Sequence, residues 1–332
     1  MMRILLLSIL LISGTMRFSY AATGTAGGQF LKIGVAAKPS ALGETSALLD
    51  GAQSIAYNPA GIGKVNNLDL SFSQVTWIKG INYSNIAAAK RKGKHVFGFG
   101  FNYLSSPAID EYDNSGTKLS DTYSAMDMAL TLGYGRKVAS RTHVGTTLKY
   151  ISSRLESHTA SALATDAGIQ HIIIKDTLDI GVAVQNMGTS MKFISTADPL
   201  PLTVKIGGKY NVPLKGSRNR GNGITMGMVR NPSSSNNSLS LFSDINYIID
   251  TGIFGNLGAE FLMDYGGNAF ALRGGYRTNN GSNGISFGIG WMMRGYSIDY
   301  AFAPLGELGQ AHRISLGVRF DSKTTNARRH DR

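Results

Sequence analysis

The stretch His312-Arg313-Ile314-Ser315-Leu316-Gly317-Val318-Arg319-Phe320 decides the fold. In a strand, Ile314, Leu316, Val318 and Phe320 share one face, and Arg313, Ser315, Gly317 and Arg319 share the other. An apolar face backed by a face with two arginines suits a wall between lipid and water.

The same period of two runs backward through most of the chain. Phe97, Phe99, Phe101 and Tyr103 alternate with Gly98, Gly100 and Asn102, and Met126, Met128, Leu130 and Leu132 with Asp127, Ala129, Thr131 and Gly133. Further runs cover residues 68–73, 82–92, 144–150, 162–173, 178–186, 202–212, 239–248, 255–263, 270–277, 285–293 and 296–302. With the opening stretch these make about fourteen strands. Ile224 to Val229 is a fifteenth candidate, set aside because single-chain bacterial barrels carry an even number. The expected fold class is therefore all-β: a transmembrane antiparallel β-barrel of about fourteen strands in the bacterial outer membrane. A soluble β-sandwich also alternates, but within about 100 residues per domain. Here the pattern continues from Leu68 to Phe320 without a linker.

The eight prolines, at 39, 59, 107, 199, 201, 213, 232 and 304, lie outside these runs or at their edges. That is required where a lost ladder hydrogen bond has no water to replace it. The polar stretches 105–122, 188–198 and 215–238 are the long connections, expected on the outer side. Asp69, Asp127, Lys149, Arg273, Asp299 and Arg319 fall on the polar faces and are the candidate lumen charges. Trp77, Trp291, Tyr83, Tyr103, Tyr150 and Tyr296 stand near strand ends, where aromatic residues form the interfacial girdle.

The first residues read as an export signal. Met1-Met2-Arg3 is followed by an apolar run from Ile4 to Ile12, and Ser19-Tyr20-Ala21 provides small residues before a cleavage site. The run is too short to span a bilayer. The chain has no cysteine, which excludes a lipoprotein anchor, disulfides and thiolate metal sites. Glycine makes up 41 of 332 residues, about 12% against an ordinary value near 7%, a barrel-like composition where strands bend. The net charge is +12, and removing Arg3 and Arg17 with the signal leaves +10. The basic residues form no cluster interleaved with aromatics, so nucleic acid is not the expected partner. Outer-membrane lipid or an acidic surface accounts for them more simply.

Residues 22–67 differ from the alternating part of the chain. They are rich in small residues, and the stretch, for example Ser40 to Leu49, reads as helical or irregular, with Pro39 as a start and Gly51 as a stop signal. Within this stretch, Gly24-Thr25-Ala26-Gly27-Gly28-Gln29-Phe30-Leu31-Lys32-Ile33-Gly34 and Ala56-Tyr57-Asn58-Pro59-Ala60-Gly61 resemble the opening of the PorV/PorQ family. Near the other end, Asp299-Tyr300-Ala301-Phe302-Ala303-Pro304-Leu305-Gly306-Glu307-Leu308-Gly309 continues the likeness into the closing strand. That family is similar to the FadL-type barrels. The resemblance implies a hatch at 22–67 that plugs the lumen, with Asn58, Pro59, Ala60 and Gly61 as a motif within it; Asn-Pro starts turns, so the motif is either a purely structural buried turn or one that gates the lumen or lines a ligand. It thus divides the chain into a signal peptide (1–21), a hatch (22–67), a barrel (68–320) and a polar tail (321–332).

Two functions come with the resemblance. PorV-like members act in type IX secretion, binding exported cargo proteins and a translocon. FadL-like members pass hydrophobic small molecules. The chain is short for a secretion member, about 310 residues after cleavage, with modest loops. Neither reading calls for a cofactor or a metal. The six histidines form no ligand pair at helical spacing. Gly284-Ile285-Ser286-Phe287-Gly288 matches a nucleophile pattern but opens an alternating strand instead of a strand-to-helix elbow. No enzyme activity is expected.

Overall fold

The computed structural model describes residues 24–113, 115–213, 237–265, 267–278, 284–304 and 309–320. Its strands are β1 (Leu68–Thr76), β2 (Asn82–Lys92), β3 (His95–Ser105), β4 (Ile109–Tyr112), β5 (Lys118–Tyr123), β6 (Ala125–Ala139), β7 (Thr142–Leu155), β8 (His158–Ile174) and β9 (Leu178–Gly188). They continue with β10 (Met191–Lys192), β11 (Ala197–Asp198), β12 (Thr203–Val212), β13 (Ser238–Ile248), β14 (Gly252–Tyr265), β15 (Asn268–Arg277), β16 (Ile285–Met293), β17 (Tyr296–Pro304) and β18 (Gln310–Phe320). Fourteen of them close a barrel in the order β1-β18-β17-β16-β15-β14-β13-β12-β9-β8-β7-β6-β3-β2. The seam is antiparallel, running from Leu68 opposite Phe320 to Thr76 opposite His312. No described helix is long and apolar enough to cross a membrane, so any crossing is made by strands.

The alternation does what the opening stretch implies. In β18, Ile314, Leu316 and Phe320 are exposed on the outer surface, while Arg313 and Ser315 are buried inside. Large apolar side chains ring the outside on every side, for example Phe97, Leu132, Leu148, Ile206, Leu257 and Phe287. Such a band is insoluble in water and stable in lipid.

Chain direction assigns the two ends. The end holding Leu68 and Phe320 carries short turns at 93–94, 140–141, 175–177 and 294–295. The opposite end carries the connections 106–124, with the hairpin β4–β5, and 189–202, with β10–β11. By the rule that short turns are periplasmic, these are the lower and upper ends respectively. The third long connection departs from expectation. Val212 and Ser238, which flank it, both lie at the lower end, so it joins strands on the short-turn side. The export signal, the run Ile224 to Val229 and the tail 321–332 lie outside the described residues.

Two aromatic assignments are corrected. Tyr83 is almost fully buried inside the barrel, where its ring meets Phe30 edge-on at 6.2 Å and its hydroxyl accepts from Asn102 Nδ2. Trp77 packs on the same interior cluster. Both stand near a strand end but on the inward side, which position along the chain does not reveal. Trp291, Tyr150 and Tyr296 are exposed on the outer surface.

The segment from 24 to 67 lies within the barrel. Of the two readings of 40–49, helical or irregular, the irregular one describes the chain beyond Ala41. One short helix, α1 (Ala37–Ala41), is followed by left-handed residues at Gly43 (φ 68°) and Glu44 (φ 67°) that turn the chain away. Pro39 sits in the first turn of α1, where its missing N–H costs nothing. Single 3₁₀ turns at Gln29–Lys32, Ala52–Ala56 and Pro59–Lys64 make up the other helical parts.

Candidate functional site

The segment 24–67 rests on rows of glycine. Gly135, Gly145 and Gly168 are consecutive partners across β6, β7 and β8. Gly181 faces Gly207 across β9 and β12, and Gly258 faces Gly275 across β14 and β15. A Cβ on Gly145 would strike the Pro59 carbonyl, one on Gly168 the Asn58 side chain, one on Gly181 the Ala47 carbonyl, and one on Gly275 the backbone of Gly43. Backbone therefore packs against backbone at mid-barrel. The glycine excess read as relief for bending strands is, at these positions, space for the inner segment.

The polar face of the opening stretch holds the same segment. Arg313 donates from Nε to the Gly34 carbonyl at 3.0 Å and lies 3.5 Å from Glu44. Ser315 Oγ accepts the Ala37 N–H at 2.9 Å and meets Ser73 Oγ at 2.8 Å. Arg319 pairs with Asp69 at 2.8 Å and approaches Asp50 at 3.6 Å. Across the lumen, Asp244 accepts the N–H groups of Ser46 (2.6 Å) and Ala47 (3.0 Å). Lys38 pairs with Glu260 at 3.2 Å, and Arg273 spans Glu260 (2.7 Å) and Asp299 (2.6 Å). Near the upper mouth, Gln29 and Lys32 both donate to Asp250, in the turn between β13 and β14. Burial raises the Asp250 pKa, but these hydrogen bonds outweigh it and hold the carboxyl below its usual range.

Asn58 is completely buried. Its Oδ1 caps the turn at Pro59–Lys64 by accepting the Ala60 N–H at 3.1 Å. Its Nδ2 donates to the Ala47 carbonyl at 2.7 Å, with Ile169 and Val182 carbonyls of β8 and β9 at 3.4 and 3.3 Å. Pro59 is the first residue of that turn, and Pro59, Ala60 and Gly61 are all buried. Tyr57 beside them accepts from the N–H groups of Val35 and Ala36 at 2.8 and 2.9 Å. Burial pushes its hydroxyl well above the ordinary tyrosine pKa, so it stays protonated.

The segment divides the lumen. Above it lies a chamber of about 80 Å³, room for a few waters or a compact ligand group. Leu31, Ile33, Val35, Ile55 and Phe254 supply its apolar wall, and the cations Lys149, Lys205 and Arg277, the amides Asn246 and Asn256 and one carboxylate, Glu44, its polar wall. Lys205 and Asn246 face each other across β12 and β13, and Asn256 and Arg277 across β14 and β15. Lys205 Nζ donates to Ser46 Oγ and lies 5.5 Å from the centre of the Tyr57 ring; Arg277 stacks on Phe254 at 4.5 Å. Arg277 Nε and Asn246 Nδ2 are buried without a hydrogen-bond partner in the protein. Below the segment lies a charged vestibule of about 710 Å³.

Of the six lumen charges read from sequence, Asp69, Arg273, Asp299 and Arg319 line the vestibule and Lys149 the chamber. Asp127 stands apart near the upper mouth, on the rung of Leu104 and Ser153. Lys149 pairs with fully buried Asp166 at 2.8 Å. Asp166, Lys205, Asp244, Glu260 and Arg277 were not singled out in the sequence, although their inward parity marks each one. Ser286, of the Gly-x-Ser-x-Gly match, accepts the Gly43 N–H at 3.1 Å and belongs to the seat. Among the described residues no group of acidic and histidine side chains is arranged to hold a metal ion.

No protein-family model matches the sequence, and no curated protein matches it in sequence. Solved structures match it in fold. The toluene transporter TbuX of Ralstonia pickettii superposes with a TM-score of 0.58 at 13% identity, over 86% of this chain and 98% of that one. The toluene transporter TodX of Pseudomonas putida gives 0.53 at 11%, over 86% and 97%. A Pseudomonas aeruginosa FadL homologue gives 0.50 at 9%, over 86% and 98%. At such identities the likeness concerns architecture, and the architecture of this chain is the fourteen-stranded FadL-like barrel.

Proposed function

We propose that this chain is a bacterial outer-membrane barrel that passes hydrophobic small molecules, with the segment 24–67 acting as a hatch. The divided lumen carries this reading: a chamber and a vestibule inside one FadL-like barrel, separated by a seated segment. The chamber narrows the solute. Its apolar wall suits a hydrocarbon body. Its cations and its donors without a protein partner suit an anionic head, because a bare hydrocarbon leaves each buried donor unsatisfied at about 1–3 kcal/mol. The reading is thus an amphipathic organic anion with a short apolar body. Asn58, Pro59, Ala60 and Gly61 form the turn on which the hatch pivots.

Titration of the detergent-solubilised protein with 4-phenylbutyrate tests this. The wild type binds it, and Lys205→Met/Arg277→Met loses the binding while remaining folded. No binding by the wild type, or equal binding by the variant, overturns the reading. A secretion-adaptor role rests on the sequence resemblance at the two chain ends; neither toluene transporter nor the FadL homologue is named for secretion.

A further inference from the structure

Among the described residues, the lower end of the barrel is electrically lopsided on its outer surface. In β2, Lys90 and Lys92 share the outward parity of the exposed Ile86. In β6, Arg136 shares that of Leu130 and Leu132. Lys94, Arg141 and Lys175 occupy the short turns that follow β2, β6 and β8. All six are exposed, and none lines the vestibule. The described acidic groups nearest to them, Asp176 and Asp179, do line it. These six cations therefore face outward, while the carboxylates of the flank face the lumen together with Arg91 and Lys137. On the opposite flank, β13 to β18, the described lower turns present the single exposed cation Arg294.

The height of these residues is set by their register. Lys90 stands opposite Phe97, Lys92 opposite His95, and His95 opposite Arg136. Phe97 and Tyr134 are outward neighbours in edge contact at 5.9 Å, and His95 Nδ1 meets the Tyr134 hydroxyl at 2.7 Å. Phe97 and Tyr134 have the character of girdle residues at the edge of the hydrocarbon. Lys90 shares their rung, and two residues further, about 7 Å along the wall, Lys92 and Arg136 stand in the headgroup layer. Long basic side chains at that depth keep their stems against the apolar wall and their charge in the interface.

We propose that this flank, from β2 to the turn after β8, is a binding surface for anionic phospholipid headgroups of the periplasmic leaflet. The outward parity and continuity with the aromatic edge favour lipid over an acidic protein, which would dock on the rim and meet the carboxylates there. This surface is independent of what the lumen carries.

Native mass spectrometry of the full mature protein, released from detergent with phosphatidylglycerol or phosphatidylcholine, provides the test. The wild type retains phosphatidylglycerol in preference to phosphatidylcholine. Lys90→Gln/Lys92→Gln/Arg136→Gln/Arg141→Gln loses that preference by on the order of tenfold or more. Lys79→Gln/Lys118→Gln, at the other end, retains it. Heat-modifiable migration on gels verifies that each variant is a folded barrel. Should the quadruple variant not fold, Lys94→Gln/Lys175→Gln, confined to turns, is read in its place and loses part of the preference. Equal retention of the two lipids by the wild type overturns the proposal. So does a preference unchanged in folded variants, or capture of acidic periplasmic protein in place of lipid.

Discussion

Asn58 works through three backbone carbonyls and one N–H. No other side chain of its size offers both an acceptor and a two-hydrogen donor. Asn58→Ala removes the cap and the pin together and weakens the seat of the inner segment by about 1–3 kcal/mol. The thermal midpoint of heat-modifiable migration falls accordingly, while Asn67→Ala, which removes an exposed hydrogen bond from Lys90, moves it less. Lys149 and Asp166 make a second test. Lys149→Met leaves a carboxylate buried and unpaired, a loss of about 3–5 kcal/mol, whereas Lys149→Met/Asp166→Leu recovers most of it. Urea unfolding of the three proteins in detergent micelles checks this; equal midpoints for the single and double variants would contradict it.

Among the elements, the barrel strands were legible from sequence; the inner segment was legible as a stretch apart, but its seat was not. A strand in the wall repeats every two residues because lipid lies on one side and polar lumen on the other, and that repeat needs no knowledge of its neighbours. The seat needs it. Gly145 and Gly168 are 23 positions apart, and only the register of β7 and β8 places them side by side under Pro59 and Asn58. Likewise the turn at Gly43 and Glu44 that ends α1 joins a local stop signal, a left-handed glycine just past the C-cap Leu42, to the wall at Gly258 and Gly275 that it meets. A glycine under the segment should therefore differ from one facing lipid. Gly168→Ala overpacks the seat at about 1–3 kcal/mol and speeds hydrogen exchange over residues 42–62. Gly274→Ala, whose Cβ meets nothing within 4 Å, leaves exchange unchanged.

The upper anchor of the segment has its own pH dependence. The Asp250 carboxyl is held below its ordinary range, so its contribution is complete at neutral pH and is lost only as pH falls through the lowered folded value. A spin label at Gly24→Cys, in a chain with no other cysteine, stays immobilised from about pH 7 to about pH 5 and becomes mobile only in acid below the ordinary carboxylate range. In Asp250→Asn it is mobile throughout. Loosening already at about pH 6 would show that another group holds the anchor.

For the molecule as a whole, fold and site were unequally written in the chain. The opening stretch carried the barrel in its outward residues, Ile314, Leu316 and Phe320. It also carried the seat in its inward ones, Arg313, Ser315 and Arg319, but what those polar residues hold emerged only when residues 24–67 were found against them. The chamber was least visible, because Lys205 and Arg277 lie 72 positions apart on strands with two others between them. The central claim is that this closed barrel admits amphipathic solutes past its hatch. It is tested most directly by uptake of radiolabelled 4-phenylbutyrate into Gram-negative cells expressing the protein, against cells with empty vector. The account predicts uptake several-fold above vector, abolished in Lys205→Met/Arg277→Met and altered in Asn58→Ala. Uptake equal to vector, with the wild-type barrel folded in the outer membrane, would contradict it.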